Sequence, residues 1–233
     1  MKKPYTVPEF VKQHRKIKPT RRSVSGVYPF RGDEPVEYES TLERDFLIRT
    51  DALKGVVGII PQPVQMPFTH INGQTYTYTP DFLVFYRAGS SPHEELIPHQ
   101  LVEVKYRDDL KNNWHELKPK FKAAARFARE QGYVFKLMDE HRIRDQFFKN
   151  VVYLQRYKRL IFDEIDSAWI VGNVARMGMA TFDYVVSRHF IGQNDKAVGI
   201  THVWHLLAVG RLTCDMSAPF SPMTELWVPT NEQ

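Results

Sequence analysis

Three carboxylates and one lysine carry the chemistry that this 233-residue sequence offers. Asp81 lies in the run Thr79-Pro80-Asp81-Phe82-Leu83-Val84, and Glu103 and Lys105 lie in Leu101-Val102-Glu103-Val104-Lys105-Tyr106, with Glu43 upstream. Both runs alternate and are rich in branched and aromatic residues, so each predicts a strand, with Glu103 and Lys105 on one face. The stretch from Arg87 to Pro98 contains Gly89-Ser90-Ser91-Pro92 and predicts a hairpin loop. In an antiparallel pair of symmetrical register, opposed residues share a midpoint, and the midpoint of positions 81 and 103 is Pro92, inside that loop. Asp81 would then face Glu103 with Cβ atoms about 5 Å apart, close enough for two carboxylates to share a divalent cation.

Mg²⁺ suits such a pair, because it takes oxygen ligands and typically uses only one or two protein carboxylates beside phosphate oxygens. It would activate a water and stabilise charge on a scissile phosphate, while Lys105 orients that water or neutralises the transition state. This is the layout of a metal-dependent phosphodiester nuclease. The competing reading is an ordinary solvated Asp on one strand and a Glu-x-Lys on the next, since each match alone is short. Hairpin, register and facing together favour the metal site.

Glu43 has two readings. Ser40-Thr41-Leu42-Glu43 has the S-x-x-E form of a capping box, followed by Leu42, Phe46 and Leu47 on one helical face. There the glutamate bonds the backbone at a helix start. Alternatively it is the third carboxylate, which in this nuclease architecture usually comes from a helix placed against the hairpin. Glu37 and Glu39 are nearby competitors for that place.

The blocks Glu39-Ser40-Thr41-Leu42-Glu43-Arg44-Asp45-Phe46, Gln62-Pro63, Tyr78-Thr79-Pro80-Asp81-Phe82-Leu83-Val84 and Val102-Glu103-Val104-Lys105 resemble, in order and spacing, the TnsA family. These are endonuclease subunits of heteromeric cut-and-paste transposons, and the resemblance covers roughly residues 35 to 140. It implies a restriction-endonuclease-like core with Glu43, Asp81 and Lys105 in the places of the family's catalytic residues. Position 103 is more variable in the family, where some members carry glutamine. The expected catalytic set is Glu43, Asp81, Glu103 and Lys105. The expected metal-holding set is Glu43, Asp81, Glu103 and Val104, with Mg²⁺ as cofactor and Mn²⁺ as its substitute.

The elements needed to position these residues can be read along the chain. A helix from Ser40 to Ala52 precedes a buried strand, Val56 to Ile60, stopped by Pro61. Asn72-Gly73 predicts a turn before a strand from Thr75 to Tyr86, and the next strand runs from Leu101 to Arg107. Trp114, Leu117, Phe121, Ala124 or Ala125, and Ala128 recur at helical spacing from Asn112 to Gln131, with Gly132 ending the helix. Tyr133 to Met138 follows as a strand. The fold class is α/β, an αβββαβ core over 35–140, followed by a mostly helical, winged-helix-like domain over 141–233. In that domain the helix Ala197 to Val209 precedes a hairpin of Arg211 to Asp215 with Thr224 to Val228, with Pro219 and Pro222 between its strands. The helix holds the place of a recognition element. It is poor in Lys and Arg, which favours a partner-docking or structural role, and the resemblance associates this region with a TnsC-type regulator and DNA.

Charge is uneven. The overall balance is +5, but residues 1 to 31 hold nine Lys and Arg against the single Glu9, a local balance of +8 that leaves the remainder at −3. The segment 1–34 therefore reads as a basic arm that either lies along a phosphate backbone by counterion release or is a solvated tail. Lys12, Arg15, Lys16, Lys18, Arg21 and Arg22 in the arm, with Arg107 and Lys111 ahead of the long helix, are the expected DNA contacts. Lys118, Lys120, Lys122, Arg126 and Arg129 give that helix a basic surface, facing either DNA or solvent.

Hydrophobic content of 42% is enough for a packed core. No run approaches the roughly 20 apolar residues of a membrane span, and the first residues lack a signal peptide's apolar core. Cys214 is the only cysteine, which excludes an intrachain disulfide and points to a reducing cytoplasm. One cysteine among nine histidines offers no structural zinc spacing, and His202 and His205 read as surface or packing residues.

The resemblance implies cleavage of the 5′ strands of double-stranded DNA at transposon ends, beside a TnsB-type transposase that cuts the 3′ strands. The other readings are a free-standing restriction or junction-resolving nuclease, and a non-catalytic winged-helix DNA-binding scaffold.

Overall fold

The helix that carries Glu43 begins where its capping signal puts it. In the computed structural model, which describes residues 13, 24–32, 34–87 and 97–229, α1 spans Thr41–Asp51 with Ser40 as its N-cap. The spacing of Leu42, Phe46 and Leu47 turns all three inward, where they are buried. The Phe46 ring stacks on Phe82 at 5.3 Å between centroids.

The sheet beneath α1 has four strands in the order β3 (Val56–Pro61), β6 (Phe82–Tyr86), β7 (Gln100–Val104), β8 (Val134–Met138). The first two pairings are antiparallel and the β7–β8 pairing is parallel. A parallel neighbour needs a crossover, usually helical, and α2 (Arg107–Asn112) and α3 (Trp114–Glu130) supply it. The sheet is covered on both faces, which explains the near-continuous apolar runs of its strands. Alternation assigns the faces: Phe82, Val84, Val102 and Val104 pack in one core with α1, whereas Leu83, Phe85 and Leu101 pack in the other with Phe121, Ala124 and Ala128 of α3.

The strand expected from Thr75 to Tyr86 is two strands. β5 (Thr75–Tyr78) pairs with β4 (Met66–Thr69) in a separate hairpin, while β6 pairs with β3 and β7. The break falls at Thr79-Pro80-Asp81, where Pro80 has no N–H to give a ladder. A two-stranded hairpin is marginal alone; this one rests on α3, with Met66 and Tyr78 buried in the α3-side core. The helix expected from Asn112 to Gln131 likewise divides. Asn113, at φ −113° and ψ 14°, leaves helical geometry between α2 and α3. Gly132, at φ 72°, ends α3 in a Schellman motif, with Tyr133 N–H on the Ala128 carbonyl at 2.7 Å and Gly132 N–H on that of Arg129 at 3.1 Å.

β1 (Gly26–Phe30) and β2 (Glu34–Tyr38) form a hairpin whose Phe30 and Val36 enter the α1-side core. The end of the expected basic arm is thus part of the folded unit. Pro29, Gly32 and Pro35 obscure these strands in the sequence. α4 (Glu140–Ile143) follows β8, and Arg144 beyond it bonds the buried Asp45 of α1 at 2.8 Å.

The chain divides into two compact units, one ending at Arg144 and one starting at Asp145. The second contains α5 (Gln146–Gln155), α6 (Glu164–Met177), β9 (Ala180–Thr181), α7 (Phe182–His189), α8 (Gln193–Ala208) and β10 (Glu225–Leu226). Its core is built around Trp204 of α8, stacked on Phe182 at 4.3 Å and flanked by Phe220 at 4.8 Å. α8 starts earlier than expected, with Gly192 at its N-cap. The hairpin expected between Arg211–Asp215 and Thr224–Val228 is a single bridge, Thr213 to Trp227. Glu225 and Leu226 pair instead with β9. His202 is a packing residue: it is buried, bonds Ser167 Oγ through Nε2 at 2.8 Å and stacks on Phe162 at 4.1 Å. Among the described residues no helix is long and apolar enough to cross a membrane.

Candidate active site

Glu43 does what the capping reading says, in a modified form. Ser40 Oγ accepts the Glu43 N–H at 3.1 Å and donates its own proton to Glu43 Oε1 at 2.9 Å. The other carboxylate oxygen accepts the N–H of Glu39, one residue before the N-cap, at 2.7 Å. The side chain is nonetheless part of a larger acidic group. Burial raises its pKa, opposed by the bonds from Glu39 and Ser40, and the charges of Glu39 and Glu103 raise it further.

Asp81 sits immediately before β6. The β6–β7 partners are Phe82↔Val102, Leu83↔Leu101 and Val84↔Gln100, and the same register carried one residue further sets Asp81 opposite Glu103. Two main-chain bonds hold the residue there. Its Oδ2 accepts the Val104 N–H at 2.7 Å, and its carbonyl accepts the N–H of Gln62 at 2.7 Å. Gln62 is buried and has a left-handed backbone, φ 45°, unusual for a residue with a side chain. Burial holds the Asp81 carboxyl well above the ordinary range, and the charges of Glu103 and Glu43 add to the rise. The Val104 N–H and the Lys105 ammonium act the other way. Three carboxylates therefore lie within electrostatic reach of one another.

Glu103 is 3% exposed and has a partner on each oxygen. The Tyr78 hydroxyl donates to Oε2 at 2.6 Å, and the Lys120 ammonium donates to Oε1 at 2.9 Å. Lys120 lies 4.7 Å from the centroid of the Tyr78 ring and 5.1 Å from that of Phe121, within cation–π range. The Tyr78 phenol is held far above its usual range by burial first and then by the charge and bond of Glu103. Neither residue was singled out for this role in the sequence. Lys120 was one of five basic residues on a helix, yet it stands three after Leu117 and four before Ala124, at the edge of the apolar stripe. That spacing is the signal that could have found it.

Lys105 follows the end of β7 and gives its N–H to the Met138 carbonyl at 3.0 Å, extending the parallel ladder. Its ammonium lowers the pKa of Asp81. Val104, the remaining expected metal ligand, gives its N–H to Asp81 and buries its side chain. Among the described residues no three His, Cys, Asp or Glu side chains are grouped closely enough to hold an ion together. The donor set is of the right kind for Mg²⁺, hard carboxylate oxygens, with Asp81 and Glu43 raised in pKa by burial first and then by neighbouring negative charge. Both oxygens of Glu43 and of Glu103 and Oδ2 of Asp81 accept protein donors, so a shared ion requires these side chains to draw closer together.

Of the expected DNA contacts, Arg107 and Lys111 are exposed on α2. The Arg107 N–H bonds Glu140 at 2.9 Å, and the Lys111 ammonium lies 3.9 Å from Asp108. Lys12, Arg15, Lys16, Lys18, Arg21 and Arg22 lie outside the described residues, as does the loop Gly89-Ser90-Ser91-Pro92.

A mixed sheet flanked by helices, with acidic residues and a lysine gathered at the ends of its central strands, is compatible with a nuclease core. Residues 54–140 match the family described as TnsA-like endonuclease N terminal. That stretch is less than half of the chain. It contains Tyr78, Asp81, Glu103, Lys105 and Lys120 and leaves Glu43 outside. It supports a nuclease of the TnsA-like, transposition-related kind. The comparison with curated proteins gives no match.

Proposed function

We propose that this chain is a Mg²⁺-dependent DNA endonuclease, the subunit of a cut-and-paste transposase that cleaves the 5′ strands at transposon ends. The observation that carries the reading is the β6–β7 register, which directs Asp81 and Glu103 to one place beside Lys105 within the TnsA-like segment. Glu43, Asp81 and Glu103 would hold the metal with the Val104 main chain. The bound ion supplies a Lewis acid and an activated water. The chain's own residues do the rest. The Gln62 and Val104 N–H groups fix Asp81, Tyr78 and Lys120 fix Glu103, and the Lys105 ammonium meets the charge that develops on phosphate.

The C-terminal unit supports a heteromeric setting. Its order, α6, β9, α7, α8, the Thr213 bridge and β10, is compatible with a winged helix. At the recognition position, however, Val203, Trp204, Leu206 and Leu207 of α8 belong to the core. Base reading, which specifies sequence, falls in this proposal to a TnsB-type partner, and the C-terminal unit to docking a TnsC-type regulator. The test is cleavage of end-containing duplex with Mg²⁺, with and without TnsB-type and TnsC-type proteins. The expected result is cutting of the 5′ strands only in the assembly, retained when the TnsB-type partner is catalytically dead. Efficient, site-selective double-strand cutting by the chain alone would favour a free-standing nuclease instead.

A further inference from the structure

α3 presents a second face away from Glu103. His115, Lys118, Lys122 and Arg126 follow one another at three or four residues, so they fall on one stripe of the helix, and all four are exposed. This stripe forms one wall of a groove of about 470 Å³, whose other wall is the β4–β5 hairpin with Phe68 and Ile71. No carboxylate lines the groove. Among the described residues no carboxylate lies within ion-pair distance of Lys118, Lys122 or Arg126. A solvated helix face normally interleaves both signs of charge; along this stripe no acidic residue falls between His115 and Arg126, Glu130 lying one turn beyond.

Both walls also reach the candidate active site. The Phe68 ring meets the Tyr78 ring edge-on at 6.4 Å between centroids, and Tyr78 bonds Glu103. On the other wall, Lys120 lies between Lys118 and Lys122 in sequence and turns inward to the same glutamate. Whatever fills the groove therefore bears on the two residues that hold Glu103. From His115 to Arg126 the helix rises about 16 Å at 1.5 Å per residue. That is the axial length of roughly five nucleotides of one strand at about 3.4 Å each.

We propose that this groove holds the phosphate backbone of a DNA duplex, with Lys118, Lys122 and Arg126 each meeting a phosphate and Ile71, 50% exposed at the hairpin tip, lying against the sugar edge. The proposal rests on the nuclease reading for its choice of duplex, but it concerns a binding surface separate from the carboxylates. It also gives the hairpin a purpose: binding in the groove and the placing of Glu103 become one event, because the same two elements do both.

The experiment measures affinity of the full chain for a 30-base-pair duplex across a salt series, in EDTA so that no cleavage occurs. Lys118→Gln/Lys122→Gln removes two phosphate contacts, and the slope of log affinity on log salt should flatten by about 2, at roughly 0.9 per phosphate on duplex DNA. Affinity at low salt should fall at least tenfold, and Lys118→Arg/Lys122→Arg should retain both. Thermal melting should be unchanged, since both side chains are exposed. An unchanged slope would overturn the groove, as would an equal loss of binding to polyglutamate, which would mark a general polyion surface. The two readings fail separately. A flattened slope in a protein that never cleaves leaves the groove and removes the nuclease; normal cleavage with an unchanged slope does the reverse.

Discussion

Tyr78 and Glu103 are 25 residues apart and joined by a 2.6 Å hydrogen bond inside the core. The bond exists because the chain breaks at Pro80, leaving Tyr78 on the β4–β5 hairpin while Asp81 begins the run into the central sheet. Lys120 completes the arrangement from α3, itself only 18% exposed at its side chain. A buried ion pair of this kind is worth little as a pair, yet removing one partner leaves a buried charge unmatched. Lys120→Met should therefore destabilise the metal-free protein by about 3–5 kcal/mol, and Tyr78→Phe by about 1.5–3 kcal/mol for a bond to a charged group. Combining Lys120→Met with Glu103→Gln should restore most of the loss. Urea unfolding of Lys120→Met, Glu103→Gln and the double variant measures the coupling, and additive losses would mean that the pair is not coupled.

Asp81 gives the stability of the metal-free protein an inverted pH response. Its folded-state pKa is raised, by burial first and then by Glu103 and Glu43, so the folded chain holds a proton at pH values where the unfolded chain has released it. Stability contributed by this proton is present below the unfolded value of about 3.9 and is lost as pH rises through the folded value. Glu43, raised in the same direction, adds to the effect. Asp81→Asn should flatten the dependence, stabilise the metal-free protein near neutral pH and abolish cleavage. Thermal melts in EDTA from pH 5 to 8 test this, and a wild type that gains stability with rising pH, with Asp81→Asn following it unchanged, would contradict the assignment.

The β6–β7 register was legible because strand alternation and the turn-forming residue types Gly-Ser-Ser-Pro predict the centre of the pairing, and side-chain facing then follows from a period of two. The helix of Glu43 was legible because its cap is local. The break at Pro80 was not, since apolar and polar residues keep alternating through Thr79 to Asp81 while only the missing N–H marks the change of partner. Similarly, Lys120 and Lys122 look alike in sequence. One turns inward because the edge of the apolar stripe carries it over Tyr78 and Phe121, and that depends on a hairpin packing from elsewhere. In the C-terminal unit, Glu225 and Leu226 chose β9 over the nearer Arg211 to Asp215 segment, a competition between partners that local pattern does not decide.

Glu43 is where cap and catalysis can be separated. Glutamine at this position retains an acceptor for the Glu39 N–H and an amide that can face Ser40, so Glu43→Gln should keep α1 intact and cost within about 1 kcal/mol. If the carboxylate is a metal ligand, that variant loses cleavage and weakens Mg²⁺ binding while melting almost as the wild type does. Ser40→Ala acts in the opposite manner. It removes the N-cap acceptor and should cost about 0.5–2 kcal/mol, yet it frees Glu43 Oε1 from the Ser40 hydroxyl and leaves the carboxylate charge in place. Its cleavage should survive at temperatures where the fold does. Calorimetric Mg²⁺ titration, melting and cleavage on both variants form the measurement. An active Glu43→Gln protein with wild-type Mg²⁺ affinity would reduce Glu43 to a helix cap and leave Asp81 and Glu103 as the metal's only carboxylates.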